Sequence, residues 1–190
     1  MENNATTPHK TLIAFVGMPG SGKSEACLYL MQKNIPFVRF GDATEESLTK
    51  AGLPITPENE AMMREKLRKD FGMAVYAERA KPKIDRLLQE HDIVGIDGLY
   101  SWEEYLFLTK HYPQLHVVYV FASPKTRYQR LTDRAVRPFS FDEARKRDIA
   151  EVEKLNKSGP IAIADHVIQN ESDLPALQKA LDTLLTRIQK

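Results

Sequence analysis

The chain has 190 residues, a formal net charge of +1 and 42% hydrophobic residues, which fits one α/β domain able to bury its own core. Acids and bases are mixed along it, arguing against a surface that coats DNA or RNA constitutively. One cysteine, Cys27, excludes an internal disulfide; the polar start Met1 to Lys10 reads as a loose tail rather than a signal peptide, and no run is apolar enough to cross a bilayer, so cytoplasm is the expected compartment.

Short apolar runs alternate with helical patterns, as parallel βαβ units require. Thr11–Val16 predicts the first strand, and a glycine-rich turn then opens a helical pattern from Lys23 through Met31. Ile35–Phe40 predicts the second strand, followed by a capping-box pattern at Asp42-Ala43-Thr44-Glu45. Thr56-Pro57 reads as an N-cap with proline at the first helical position. Pro82 falls inside the pattern from Met73 to Glu90, where it predicts a kink or a break. Asp92–Asp97 and His116–Ala122 predict buried strands, and Trp102–Tyr112 between them a helix with one packed face. Ser101 and Ser140 each begin a capping box, and His166–Gln169 predicts the last strand.

The turn after the first strand reads Gly17-Met18-Pro19-Gly20-Ser21-Gly22-Lys23-Ser24. Lying between a strand and a helix, it has the context in which G-x-x-x-x-G-K-S binds the phosphates of ATP or GTP. Glycines let successive amides point inward, and the helix N-terminus adds partial positive charge. Lys23 can reach the β- and γ-phosphates, and the Ser24 hydroxyl can ligate Mg²⁺.

Four stretches carry a family likeness: Val16 to Ser24, Ile96-Asp97-Gly98, Ala122 to Arg127, and Ala164 to Asn170. On these the chain resembles the nucleoside-monophosphate-kinase-like branch of P-loop kinases, closest to dephospho-CoA kinases and archaeal adenylate-kinase-related proteins. The resemblance implies an α/β P-loop NTPase three-layer sandwich: a parallel five-stranded sheet in the order 2-3-1-4-5 with helices on both faces. It also implies that residues 1–190 form one domain, with an acceptor-binding helical segment at about 42–90 and a lid at about 127–150.

Asp97 ends the third strand, at the sheet edge where open α/β folds bind ligands, and reads as a Mg²⁺ or acceptor-hydroxyl contact or as a cap of the turn into Ser101. Gly98 stands where many P-loop hydrolases carry glutamate, which favours transfer over hydrolysis. Asp42 follows the second strand, where the family meets its acceptor. Glu45, Glu46 and Ser47 replace the arginine the family places nearby, which argues against a free nucleoside monophosphate as acceptor; Arg64, Arg68 and Arg79 are the possible substitutes. Arg127, Arg130 and Arg134 recur at helical spacing, with Arg137 behind them, and match the family's lid; a solvated face paired with Asp133 is the competing account. Arg145 and Arg147 fit either description. Asn170 stands where the branch flanks the purine, or is a turn residue.

The expected activity is Mg²⁺-dependent transfer of the γ-phosphoryl group of ATP or GTP to a small nucleotide-like acceptor, such as a dephospho-CoA-like compound or a nucleotide. The alternative is a nucleotide-dependent switch or slow NTPase acting on a protein or nucleic-acid partner.

Overall fold

A computed structural model describes residues 10–135 and 138–189; Arg137 and most of the expected tail lie outside the described residues. In chain order the elements are β1 (Thr11–Val16), α1 (Lys23–Gln32), β2 (Phe37–Arg39), α2 (Asp42–Lys50), α3 (Pro57–Phe71), α4 (Val75–Glu90) and β3 (Ile93–Asp97). Then follow α5 (Trp102–His111), β4 (Leu115–Phe121), α6 (Pro124–Thr132), α7 (Phe141–Leu155), α8 (Ser158–Ala162), β5 (His166–Gln169) and α9 (Leu174–Ile188). The strands form one five-stranded sheet in the order β2-β3-β1-β4-β5, every pair parallel.

The sequence of β1 explains why it lies in the middle. All six of its residues are buried, and alternation sends them into two separate layers. Leu12, Ala14 and Val16 pack with Leu67 of α3, Tyr76 and Ile84 of α4, and Leu108 of α5. Ile13 and Phe15 face the other way, with Cys27 and Leu30 of α1 and Leu177 and Leu181 of α9. A sheet covered on both faces in this order is the P-loop NTPase three-layer sandwich. Cys27 is a buried core residue whose thiol burial pushes up in pKa.

Local signals placed most helix starts correctly. The Ser101 and Ser140 capping boxes both form, and the Thr56 hydroxyl accepts from the Asn59 amide with Pro57 at the first turn. Four local expectations are corrected. Strand β2 begins at Phe37 because Pro36 has no amide for the ladder, although its carbonyl still accepts from the Gly95 amide at 2.8 Å. Helix α4 runs through Pro82 without a break: Pro82 and Glu78 are both exposed, so water can serve the carbonyl that proline strands. Asp42 is no N-cap; Gly41 holds that place, and the Asp42 carboxylate is taken by Arg39 and Lys83. Helix α6 stops at Thr132, whose hydroxyl donates to the Phe139 carbonyl as the chain turns back, so Arg134 leaves the face shared by Arg127 and Arg130.

Candidate functional site

The carboxyl ends of β1 and β3 open onto a cleft of about 610 Å³. The β1–α1 turn forms one wall. Gly20 and Gly22 have φ of 79° and 100°, a region costly for any residue with a side chain, and a Cβ on Gly20 would stand 2.7 Å from the Arg127 carbonyl. The loop is therefore tightly backed and opens toward the cleft. Lys23 lies across it, its ammonium donating to the carbonyls of Gly17 at 2.8 Å and Met18 at 3.2 Å. Burial, followed by the positive charge of Lys157, lowers the Lys23 pKa to about 7. A phosphate group arriving there would relieve both effects.

Asp97 faces the loop from the end of β3. Burial raises its carboxyl pKa, against the pull of Lys23, Arg39 and Lys157. The hydrogen-bonded network among the described residues leaves this carboxylate unused, so it does not cap the turn into Ser101. Ser24 lines the same cleft. A hydroxyl and an unengaged carboxylate beside a phosphate cradle form the hard-oxygen donor set that suits Mg²⁺, so the residues present fit that ion.

Two expected ligand contacts have other work. The Arg127 side chain is only 5% exposed; it donates to the carbonyls of Ala122 and Pro19, each at 3.1 Å, and pairs with both oxygens of Asp148. Asn170 is buried and donates through Nδ2 to the Ser21 carbonyl at 2.8 Å. Both hold the phosphate loop from behind and neither lines the cleft, because the curled loop turns its carbonyls outward and those need donors. Arg130 lines the cleft while bonding the carbonyls of Asn170 and Ser172, each at 2.9 Å. Arg134 also lines it; burial, then Arg147, lowers its pKa, and Asp133 accepts from Gln129 instead.

The opposite wall comes from β2 and the helices after it. Arg39, at the end of β2, binds both Asp42, at 2.7 Å, and Glu45. Of the two glutamates expected to repel a phosphate, Glu45 is thus paired with Arg39 and Glu46 lies outside the cleft lining, which weakens the argument against a monophosphate acceptor. Arg64 and Arg68 of α3 both line the cleft. The Arg68 side chain is 9% exposed, stacked 4.7 Å from the Tyr76 ring centre and 3.6 Å from Glu104, yet its Nε has no partner. Burial raises the Glu104 pKa to about 7, opposed first by Arg68. Asp42 and Arg79 lie outside the cleft lining; Arg79 donates to the Ser47 hydroxyl at 2.9 Å and rests over Phe71.

Sequence reading missed Arg39, Glu151 and Lys157, and left Arg147 open. Arg39 had a readable signal, since it sits at a strand's carboxyl end. The others come from the α7–α8 corner, more than 120 residues from the loop they face, with no local pattern to mark them. Among the described residues, eight cationic side chains and five carboxylates line the cleft, a surplus of positive charge suited to phosphates.

No helix among the described residues is long and apolar enough to cross a membrane. Residues 13–150 match the AAA domain family. A UPF0200 protein of Thermococcus sibiricus is 34% identical, covering 93% of this chain and 95% of the relative. Another, from Methanocaldococcus jannaschii, is 34% identical over 93% and 90%. Among solved structures, TT1252 from Thermus thermophilus superposes with a TM-score of 0.61 at 20% identity, covering 94% of this chain and 98% of that one. Shikimate kinase from Bacteroides thetaiotaomicron gives 0.57 at 16%, over 95% and 99%, and a gluconokinase from Sinorhizobium meliloti 0.54 at 17%, over 95% and 96%. The fold is that of small P-loop kinases, and by its close relatives the chain belongs to the UPF0200 family, with an AAA domain over most of its length.

Proposed function

We propose that the protein is a Mg²⁺-dependent phosphotransferase that moves the γ-phosphoryl group of ATP or GTP to a small anionic acceptor. The observation that carries this reading is a single cleft with two basic walls: Lys23 at the phosphate loop, and Arg39, Arg64 and Arg68 opposite, with Asp97 between them. A nucleotide switch or slow NTPase needs the first wall and has no use for the second. The partly committed arginines of the second wall, Arg39, Arg64 and Arg68, suit a phosphate or carboxylate on the acceptor. Shikimate kinase and gluconokinase, by name, act on hydroxylated acids, so that class stands beside nucleotides and dephospho-CoA-like compounds.

In this reading the loop amides and Lys23 hold the β- and γ-phosphates. Ser24 and Asp97 would hold Mg²⁺, which neutralises phosphate charge when bound. The Asp97 oxygen turned away from the ion orients an acceptor hydroxyl and receives its proton as the oxygen attacks. The bond from the γ-phosphorus to the bridging oxygen breaks, and its electron pair leaves with the nucleoside diphosphate. Arg130 and Arg134, which already line the cleft, would meet charge on the transferring group, the role the family likeness gives to lid arginines.

The test is nucleotide consumption with Mg²⁺ against AMP, CMP, UMP, GMP, dTMP, dephospho-CoA, shikimate and gluconate. Strong stimulation by one of them, with a phosphorylated product, is expected. Slow hydrolysis that no small acceptor stimulates, but a macromolecule does, would move the protein to the switch class.

A further inference from the structure

The floor of the cleft holds a charge cluster that the reading above leaves unused. Helix α7 ends at Leu155, Asn156 takes a left-handed φ of 50°, and the chain turns at once into α8 with Lys157 as its N-cap. The corner is fixed from outside by Gly159, whose bare backbone lies against Trp102; a Cβ there would stand 2.8 Å from the indole ring. Lys157 thus borders the cleft from a braced corner, and its side chain is 1% exposed.

An ammonium so enclosed is costly unless other charges answer it. Glu151 does so with one oxygen, while its other oxygen accepts from Arg147 Nε at 3.3 Å. The Tyr100 ring centre lies 4.9 Å from the ammonium. One carboxylate therefore holds two cations, each on its own oxygen. Burial pushes the Glu151 pKa up, yet Lys157 and then Arg147 hold it below the ordinary carboxylate range. Positive charge is still left over, because two cations meet one carboxylate, and Lys157 lines the same cleft as Lys23, whose pKa its charge helps to lower. This corner is short of an anion, and the phosphate loop is its neighbour.

We propose that Lys157 is a catalytic residue that contacts the γ-phosphoryl group during transfer, and that Glu151 is the positioning residue aiming Lys157 and Arg147 at it. The inference rests on the phosphotransfer reading. Lys157 forms no covalent bond and takes no proton; it meets charge on the phosphoryl oxygens while the bridging bond breaks toward the nucleoside diphosphate and the acceptor bond forms. The competing role is a buried ion pair that merely joins α7 to α8.

The full chain should be titrated calorimetrically with MgADP and with the magnesium complex of AMP-PNP, alongside thermal unfolding. The variants are Lys157→Met, Lys157→Arg and the double variant Lys157→Met with Glu151→Leu. Lys157→Met should weaken AMP-PNP binding about tenfold or more, as loss of a charge-assisted contact to the γ-phosphate implies, with MgADP affinity changed less than about twofold. Lys157→Arg should recover part of the preference. The double variant leaves no unpaired lysine–glutamate charge, so it should regain unfolding temperature without regaining the preference for AMP-PNP. Equal losses for both nucleotides, or no loss, would return Lys157 to the structural role while leaving the phosphotransfer reading intact. Recovery of the preference in the double variant would do the same. Wild-type protein that binds neither nucleotide overturns the phosphotransfer reading and this inference with it.

Discussion

The two walls of the cleft are built by different physics. The phosphate-loop wall is backbone held by side chains: loop carbonyls take bonds from Lys23, Arg127 and Asn170, and glycines permit the curl. The wall proposed for the acceptor is side chain held by side chain, with Arg39 on Asp42 and Glu45, Arg64 near Glu60 at 3.8 Å, and Arg68 near Glu104. A backbone cradle is stiff and indifferent to what the rest of the substrate is. Ion pairs at a cleft edge are adjustable and can exchange a carboxylate for an incoming anion. Donor binding is therefore expected to be rigid, and acceptor choice to rest on a few exchangeable charges.

The largest effect should come from the loop itself. Lys23→Ala is expected to lower phosphoryl transfer about 10²–10³-fold, the usual loss for a group placed on developing charge, while the unfolding temperature does not fall, because Lys23 bonds only loop carbonyls and its buried charge is itself costly. Steady-state turnover with parallel thermal melts measures both, and an active, folded variant would break the comparison at its root.

Support of the loop comes next. Arg127→Ala leaves the half-buried Asp148 with only the Tyr128 hydroxyl and should cost about 3 kcal/mol of stability, read by urea unfolding; the side chains are 5% and 14% exposed. Lysine should not rescue it, since the bidentate geometry needs a guanidinium.

On the acceptor wall, Arg68→Ala should raise the acceptor KM about tenfold with the nucleotide KM unchanged, as loss of one charge-assisted contact implies. Arg79→Ala, outside the cleft, should change neither. Equal effects at both positions would erase the distinction between the walls.

A pH effect of similar size sharpens the donor side. With the Lys23 pKa lowered to about 7 from 10.5, the nucleotide-free protein loses this charge above about pH 7, and phosphate binding must restore it. Affinity should then fall by up to about tenfold per pH unit above pH 7, with proton uptake visible as a buffer-dependent binding enthalpy. The sign for folding is opposite: the unfolded lysine keeps its proton through this window, so this residue makes the free protein more stable as pH rises from 7 toward 10.5. Lys23→Ala should abolish both trends.

The smallest change expected is at Asn170. Removing its bond to the Ser21 carbonyl by Asn170→Ala should cost about 1 kcal/mol in stability, with nucleotide affinity falling only a few-fold, measured by melts and calorimetry.

Much of the fold was legible because its signals are local. The apolar run of β1, the glycines and Lys23 beside it, and the serine capping boxes each act within a few residues, and the structure keeps them all. Strand order and the three-layer sandwich came from the family likeness carried by four short stretches, and the sheet agrees. The errors were local signals met by a competing environment. Asp42 has the chemistry of a cap, but Arg39 and Lys83 reach it first. Pro82 has the chemistry of a breaker, but it lies where water can serve the orphaned carbonyl.

The site divides the same way. Sequence alone determined the phosphate loop, because a strand–glycine–lysine–helix turn makes its binding surface from its own consecutive amides. It also placed Asp97 at the sheet edge, because strand ends are readable. Only the tertiary structure decided which cations share the cleft. Arginine and lysine are equally at home on a solvated helix face, and their spacing does not say which will be drawn in. Arg79 and Arg68 belong to neighbouring helices, yet one rests against Phe71 outside the cleft and the other is enclosed between Tyr76 and Glu104. Lys157 lines the cleft from a corner that Asn156 makes by turning left-handed and Gly159 by letting α8 settle on Trp102. Long-range packing fixes a buried charge where its counter-charges happen to converge, and that convergence is a property of the fold, invisible in any one stretch of chain.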